Sequence, residues 1–485
     1  MKTSILHLSD LHRDALEEPD SDSLIYSLER DFKRFSTLTP EIHLPNICVV
    51  SGDLIAGSKK TGDEAYQDIQ TQYEQTKNFL VGIANMFFHG DREKIVIVPG
   101  NHDVCREDVL KCVEKIKTPN DKREIRELKV LAHSLSSNIR WSWDELCFYK
   151  IVDEEIYKQR FSLFSNMYTD FYQGKRSYSL DPSEQWDIFD FKDQGVSIGT
   201  INSCFNNDLF RHAGEVNPTA LTNMCRAMKD PRRKGWLLAA TWHHNTSGPP
   251  TREDYISPSF LQILMETDIG LGMHGHQHSP ECFEGKNRYG CEKKRITIIS
   301  ASTLCSGSHH LQSGIPRSYN VIEIDEDKRK GRVHQRAMMG EDIKHPTWGS
   351  GNFLQTQKSF VDFIPVLPEE ARPSNLSLNI AIGDAEKLVS QQQWENAISL
   401  LEQYKDHEIA RLFLTKALEN INDDKKIIDL ISPPKTISEA ILVGGAINSL
   451  RDKELAHNFL SNPIVRDSND ASIRQIKRTI ERIIK

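Results

Sequence analysis

Five short, mostly apolar segments of strand length, each followed at once by polar residues, constrain the fold of this chain more than any other feature. They are residues 4–8, 47–50, 95–98, 237–240 and 269–273. Helical patterns lie between the first three segments, at about residues 22–37 and 63–87. Strands that alternate with helices form a parallel sheet with helices on its faces. The sequence therefore predicts an α/β fold.

The polar residues after these segments belong to types that bind metal ions. They are Asp10 and His12, Asp53, Asn101 to Asp103, His243 and His244, and His276 and His278. In an open α/β sheet, ligands bind outside the carboxyl ends of the strands, so these side chains are expected to lie close together. Carboxylates and imidazoles are common ligands of divalent metal ions. The sequence therefore predicts a metal site at this edge of the sheet.

The candidate ligands are numerous enough for two metal ions. They divide into two sets of three, which are Asp10, His12 and His278 for one ion and Asn101, His243 and His276 for the other. Asp53 is the natural bridge between the ions, because a carboxylate has two oxygens. Residues two apart in an extended segment point to the same side, so each Asp-x-His or His-x-His pair is expected to face the ions together.

Two further residues are candidates for catalysis. His102 follows the ligand Asn101 and can protonate the leaving oxygen or stabilise the transition state. Asp103 is expected to fix the orientation of His102. The expected nucleophile is a hydroxide between the two metal ions, because metal binding lowers the pKa of water toward neutrality.

Taken in order, the motifs Asp-x-His, Gly-Asp, Gly-Asn-His-Asp, His and Gly-His-x-His resemble those of the calcineurin-like metallophosphoesterase superfamily, over about residues 1–340. The resemblance implies a four-layer α/β/β/α sandwich that hydrolyses phosphate esters at a dinuclear centre. Mn is the expected metal, with Fe, Zn or Ni as alternatives. The resemblance also implies the two ligand sets given above, with Asp53 in both, and it places His102 in the catalytic position.

The first motif narrows the resemblance. Residues 6–12 look most like the cyclic-nucleotide phosphodiesterase branch of the superfamily. The serine/threonine protein phosphatases usually carry an arginine near the Gly-Asp motif, and residues 54–57 contain none. We therefore expect a phosphodiesterase that prefers a small diester or a cyclic nucleotide. The alternative is a DNA or RNA nuclease.

Several other polar residues have less certain roles. Family members place a proline two residues after the ligand histidine, whereas Asn245 stands here, so the choice between His243 and His244 stays open. His7 is expected to be structural, because it faces away from the site. His244 and His274 adjoin ligands and either support them or pack locally. The residues in loops that are candidates to approach substrate are Arg211, His309 and His310.

The chain is expected to have two domains. Residues 1–345 form the phosphoesterase domain, with a helical insertion at about residues 105–185 that contributes none of the motifs. Residues 346–375 are rich in proline and glycine and predict a linker. Residues 376–485 carry helical apolar faces and predict an all-α domain, either a bundle or a helical repeat. This domain is a candidate surface for a protein partner or for self-association in a defence or repair assembly.

Composition limits the location and the partners of the protein. The formal net charge of −8 disfavours nonspecific nucleic-acid binding. No apolar run reaches the ~18 residues of a membrane span, and the first residues do not resemble a signal peptide. Nine cysteines without a Cys-x-x-Cys pair argue against a disulfide framework, and Cys282 and Cys291 are expected to be reduced. These features predict a cytoplasmic protein.

Overall fold

The protein divides into two compact units, which are described separately. The units are Met1–Pro368, called here the amino-terminal unit, and Glu369–Lys485, called the carboxy-terminal unit. The structure is a computed structural model. It describes residues 2–484 except 15–18, 118, 135–136, 248–253, 287–293, 308–310, 312, 326–329, 341, 355, 367–374 and 469.

The first sheet of the amino-terminal unit has seven strands. In order across the sheet they are β15 (Trp348–Ser350), β14 (Lys330–Met338), β13 (Ser318–Asp325), β1 (Lys2–Leu8), β2 (Ile47–Val50) and β3 (Ile95–Ile97), with β16 (Phe360–Phe363) also paired to β14. The pairs β1–β2 and β2–β3 are parallel, whereas β13 runs antiparallel to β1. The carboxyl ends of β1, β2 and β3 therefore lie at one edge of this sheet.

The second sheet has six strands. In order they are β11 (Glu281–Lys286), β12 (Arg295–Ser300), β10 (Leu271–His274), β9 (Leu237–Thr241), β8 (Val196–Ile201) and β7 (Trp186–Phe191). The four central strands, β12, β10, β9 and β8, are parallel, and β11 and β7 are antiparallel edges. This sheet therefore also gathers several carboxyl ends on one side.

Helices cover the outer faces of the two sheets. The main core contains side chains of α1 (Ser21–Phe32) and α2 (Asp63–Phe87) with residues of both sheets. A second core joins the other face of the second sheet to α7 (Pro218–Met228) and α8 (Pro258–Glu266). The order helix, sheet, sheet, helix confirms the predicted four-layer α/β/β/α sandwich.

The sequence predicted a helical insertion, but the insertion also contains strands. It contains the helices α3 (Arg106–Lys111), α4 (Lys122–His133), α5 (Glu154–Lys158) and α6 (Ser162–Phe171), and the strands β4 (Val113–Lys115), β5 (Ile139–Ser142) and β6 (Cys147–Ile151). The three strands form a separate small sheet in the order β4–β6–β5. Aromatic residues on β5 and β6 pair across the strands, as Trp141 does with Phe148, and this pairing favours a hairpin over a helix.

The segment 346–375, predicted as a linker, belongs in part to the first sheet. It contributes β15 and β16, both of which pair with β14. Trp348 on β15 is buried, and its indole N–H donates to Ser27 of α1 at 2.8 Å. These contacts explain why the proline-rich composition did not produce an extended linker here.

The carboxy-terminal unit is helical and has its own hydrophobic core. Its helices are α9 (Asn375–Ser390), α10 (Trp394–Leu401), α11 (Glu408–Leu418), α12 (Asp424–Ile431), α13 (Ile437–Leu450), α14 (Lys453–Ser461), α15 (Pro463–Arg466) and α16 (Ala471–Ile484). Successive helices α9, α10 and α11 pack on one another, and α13 packs on α12 and α16. Arg411 and Glu439 form a buried ion pair between α11 and α13, with Nε and Oε1 2.8 Å apart.

The described residues bear on the predicted state of the cysteines and on the predicted lack of a membrane span. The eight described cysteines are free, and Cys291 lies outside the described residues. Among the described residues, no helix combines the length and the apolar character that crossing a membrane requires.

Candidate metal centre

The candidate ligands leave the strand ends in an unusual backbone conformation. The residues concerned have positive φ angles, which are 51° at Asp10, 43° at His12, 51° at Asp53, 70° at His276 and 52° at His278. Residues other than glycine rarely adopt positive φ angles, because these strain the backbone. Such backbone strain concentrates at functional sites. The sequence predicted convergence through extended alternation, and this was wrong, because tight left-handed turns bring the side chains together.

Glycines in the motifs make room for these turns. Gly52 has a φ of +97°, and a Cβ atom there would lie 2.5 Å from Nδ1 of His243. At Gly100, a Cβ atom would lie 2.1 Å from Oδ1 of Asp53. Both distances are far below van der Waals contact, so any side chain at these positions would displace a candidate ligand.

The first set of candidate ligands surrounds a small space. Nε2 of His278 lies 3.1 Å from Oδ1 of Asp10 and 3.2 Å from Nε2 of His12. Nε2 of His12 lies 3.8 Å from Oδ1 of Asp10. The structure therefore brings together all three residues that were predicted to hold one ion.

The second set forms a similar cluster. Oδ1 of Asn101 lies 3.0 Å from Nε2 of His243 and 3.1 Å from Nδ1 of His276. The two imidazole nitrogens are 3.3 Å apart. His243 is held in place by its other nitrogen, because Nδ1 lies 2.8 Å from the carbonyl oxygen of Ser51.

Asp53 lies between the two clusters. Its Oδ2 is 3.6 Å from Nε2 of His12 and 3.3 Å from Nε2 of His243. Its Oδ1 accepts a hydrogen bond from the backbone N–H of His102 at 2.9 Å. A single oxygen of Asp53, rather than the two that the sequence suggested, therefore faces both clusters.

The donor atoms fit metal ions in their type and spacing. Two ligands about 2.1 Å from one ion and at right angles to each other are about 3.0 Å apart, close to the separations within each cluster. Oδ1 of Asp10 is fully buried yet accepts no hydrogen bond, although Nε2 of His278 is near it. A buried carboxylate oxygen of this kind requires a cation or a donor. Asp10, His12, Asp53, His243 and His278 can thus hold a pair of metal ions.

The charges of these groups are strongly coupled. Burial opposes the charge on Asp53, but His243, His102 and His12 outweigh it and hold the pKa of Asp53 well below its ordinary value. Burial also opposes the charge on His243, but Asp53 raises the pKa of His243 to about 9. In contrast, burial lowers the pKa of His12 to about 3. Without a metal ion, a proton on His243 therefore compensates the charge of Asp53.

The catalytic pair predicted from the sequence is only half supported by the geometry. Nδ1 of His102 lies 2.8 Å from the carbonyl oxygen of Ala56, which fixes the ring. Asp103 does not orient His102, because its Oδ2 accepts from the N–H groups of Gly100 (2.7 Å) and Leu54 (3.2 Å). Its Oδ1 accepts from Tyr73 at 3.1 Å, so Asp103 fixes the motif's backbone.

The positions of His243 and His244 favour His243 as the candidate ligand. His243 meets Asn101 and Asp53, whereas Nδ1 of His244 lies 3.0 Å from the hydroxyl of Ser203. His7 is buried with Nε2 3.0 Å from Ser51 Oγ, which agrees with a structural role. Burial lowers the pKa of His274 to about 4, so a neutral His274 is favoured at neutral pH.

Arg211, one of the loop residues that were candidates to approach substrate, has structural contacts instead. Arg211 is buried, and its Nη2 donates to the carbonyl oxygens of Ala132 (2.7 Å) and Ser134 (3.0 Å), so it fixes the insertion. His309 and His310 lie outside the described residues. The sequence did not single out Ser203 or Asn207, which contact His244, because neither follows a recognisable motif.

Two packed sheets with carboxylates and imidazoles converging at their strand ends define an α/β/β/α protein with a candidate dinuclear metal site. The family model described as calcineurin-like phosphoesterase matches residues 3–280, which is more than half of the chain. The chain belongs to this family, and the resemblance predicted from the motifs is confirmed.

Comparison with solved structures gives weaker likenesses. The chain is similar to a dimetal phosphatase from Danio rerio at 10% identity, with a TM-score of 0.35 over 69% of this chain and 96% of that one. It is similar to Vps29 from Chaetomium thermophilum at 9% identity, with a TM-score of 0.25 over 75% of this chain and 97% of that one. No curated protein matches the chain. No activity is inferred from these likenesses.

Proposed function

We propose that the protein is a two-metal phosphodiesterase. Asp10, His12 and His278 would hold one ion, Asn101, His243 and His276 the other, and Asp53 would belong to both sets. The observation that carries this proposal is the position of Asp53 Oδ2, which lies within 3.6 Å of an imidazole nitrogen in each cluster. Imidazole, carboxylate and amide donors suit Mn²⁺, which we propose as the resident metal.

The chemistry would be divided between the metals and His102. A pair of bound divalent ions lowers the pKa of water and stabilises charge on the attacking and leaving oxygens. His102 would hold a proton at Nε2 and deliver it to the leaving oxygen, while Ala56 fixes the ring through Nδ1. Phosphate esters suit such a site, because their hydrolysis expels an alkoxide that needs protonation.

We further propose that the substrate is a small diester or a cyclic nucleotide. The support is the first motif, residues 6–12, and the net charge of −8, which weakens attraction for a polyanion. The test is a Mn²⁺-supplemented screen of bis-p-nitrophenyl phosphate, p-nitrophenyl phosphate, cyclic AMP and single-stranded DNA. Hydrolysis of the monoester that greatly exceeds that of the diester would overturn the preference.

The bridging position of Asp53 is tested by Asp53→Asn. The substitution keeps the shape of the side chain but removes the charge that both clusters share. Metal content and diester hydrolysis are expected to fall together, with kcat reduced at least about 100-fold. The matched control is Asp31→Asn, which alters a buried carboxylate bound to Arg336 and away from the clusters. Activity that survives Asp53→Asn would contradict the proposed role.

A nuclease is the second candidate, and the insertion favours it. Trp143, in the turn between β5 and β6, is 76% exposed, and Trp141 packs edge-on against it at 5.9 Å. Exposed basic residues occur on the same insertion, at Lys117, Lys122, Arg126, Lys129 and Lys150. Exposed aromatic side chains can bind single-stranded nucleic acid by stacking, and basic side chains on the same element add attraction for phosphates.

A further inference from the structure

A buried carboxylate connects the insertion to the loop that follows β8. The side chain of Asp208 is fully buried. Its Oδ2 accepts hydrogen bonds from Nε of Arg140 (2.6 Å) and from the hydroxyl of Tyr157 (2.8 Å), which lie on β5 and α5 of the insertion. Its Oδ1 accepts from the backbone N–H groups of Phe210 (2.8 Å) and Arg211 (3.0 Å). Asp208 therefore holds the loop and the insertion together.

Arg160 provides a second connection to the same loop. Its side chain is buried, with Nη2 donating to the carbonyl oxygen of Phe205 (2.6 Å) and Nε to that of Asn207 (3.3 Å). The carbonyl oxygen of Arg160 accepts from the N–H of Cys105 at 2.8 Å, just after the Asn101–Asp103 turn. The loop residues 205–208 are thus fixed on both sides.

This loop also contacts the strand end that carries His243 and His244. The backbone N–H groups of both histidines donate to Oγ of Ser203, each at 3.1 Å. Since a hydroxyl accepts two hydrogen bonds and donates one, its proton is left for Nδ1 of His244, 3.0 Å away. Nε2 of His244 lies 3.5 Å from Nδ2 of Asn207.

His244 completes the contact with the metal centre. Its ring centroid is 4.7 Å from that of His276 and 5.4 Å from that of His243. A Cβ atom at Gly214 would lie 3.0 Å from Cβ of His244, so the far end of the loop also packs on this residue. His244 therefore occupies a fixed place between the loop and the two candidate ligands.

We propose that Asp208 is a positioning residue for the metal centre. By joining the insertion to the loop 203–208, it sets the position of Ser203 and Asn207, and through His244 the orientation of His243 and His276. The inference rests on the proposed function, since only there are His243 and His276 metal ligands. Groups that orient metal ligands commonly change metal affinity by about 10- to 100-fold when they are altered.

The test is Asp208→Asn, which keeps the side-chain shape but removes the charge opposite Arg140. Calorimetric titration with Mn²⁺ is expected to show one of two binding events weakened about 10- to 100-fold. With bis-p-nitrophenyl phosphate, kcat is expected to fall while KM changes little. Tyr157→Phe removes one hydrogen bond to Asp208 and is expected to weaken metal binding by a smaller factor. This variant tests the proposal if Asp208→Asn does not fold.

Asp31→Asn is the matched control, because Asp31 has the same kinds of partner. Its carboxylate accepts from Arg336, with Nε–Oδ2 2.8 Å and Nη2–Oδ1 2.6 Å, and from the hydroxyl of Tyr319. It lies on α1 and contacts no candidate ligand. It is expected to lower the thermal midpoint while leaving Mn²⁺ affinity unchanged.

Two results would overturn the positioning role. One is unchanged Mn²⁺ affinity in a folded Asp208→Asn protein, and the other is an equal loss of affinity in Asp208→Asn and Asp31→Asn. Metal binding is measured directly, so a failure of the proposed phosphodiesterase function can be distinguished from a failure of the positioning role. A wild-type protein that binds two Mn²⁺ ions but hydrolyses no diester would contradict the phosphodiesterase, while the affinities would still decide the role of Asp208.

Discussion

At the residue scale, the proton on His243 links metal binding to pH. Burial opposes this charge, but Asp53 raises the pKa of His243 to about 9, and a protonated imidazole cannot bind a metal. Below that pH, Mn²⁺ must displace the proton. We expect the affinity of the metal-free protein for Mn²⁺ to rise about tenfold per pH unit from pH 7 to about 9, and then to level off.

Calorimetry in buffers of different ionisation enthalpy measures this exchange. At pH 7.5, binding is expected to release about one proton from His243. His12 adds none, because burial already lowers its pKa to about 3. In Asp53→Asn the charge that raises the pKa of His243 is missing, so less proton release is expected there. Affinity that does not change with pH in the wild type would disprove the linkage.

The candidate ligands could be predicted from the sequence because each directly follows a strand, and strand ends meet at one edge. The role of Asp103 could not be predicted in this way. Its partners Tyr73 and Leu54 are distant in sequence, whereas the adjacent His102 is not a partner. Similarly, His243 and His244 follow the same strand, so only the backbone conformation beyond it decides which one faces Asn101.

At the scale of elements, the hairpin of β5 and β6 separates the two substrate classes. If nucleic acid is the substrate, Trp143→Ala is expected to reduce cleavage of single-stranded DNA, because stacking contributes about 1–3 kcal/mol per base. That range corresponds to roughly 5- to 150-fold in kcat/KM. Hydrolysis of bis-p-nitrophenyl phosphate, which is too small to reach the hairpin and the metal centre together, is expected to be unchanged.

The matched control for this prediction is Leu146→Ala. Leu146 lies in the same turn and is 67% exposed, but it has no ring to stack on a base. Equal losses in the two variants would attribute the effect to the shape of the hairpin rather than to stacking. No cleavage of DNA by the wild type would eliminate the nuclease candidate.

The same hairpin shows which elements escape prediction. The strands β4 and β15 have three residues each, and β5 and β16 have four, but unlike the equally short β2 and β3 they are not continuous apolar runs. Two of them pair with strands that are distant in sequence, as β4 pairs with β6 and β16 pairs with β14. The long, periodic helix α2, by contrast, was predicted at its observed bounds.

At the scale of the whole molecule, the alternation of strands and helices predicted an α/β fold, and the resemblance of the motifs to a known family implied its four layers. What it could not give is the function of the helical unit, because an amphipathic helix records only that one face is buried. The two units have separate hydrophobic cores, and the described candidate ligands all belong to the amino-terminal unit. Metal binding and any interaction through the helices are therefore expected to be separable.

Residues 1–368 alone are expected to keep the Mn²⁺ affinity and the diester kcat/KM of the full chain within about twofold, because every candidate ligand lies within them. Residues 369–485 alone are expected to unfold cooperatively, since about twenty buried apolar side chains form their core. If this unit mediates self-association, light scattering will show a larger oligomer for the full chain than for residues 1–368. Equal oligomeric states, together with no partner-dependent change in activity, would exclude the assembly role and leave the helical unit without a part in catalysis.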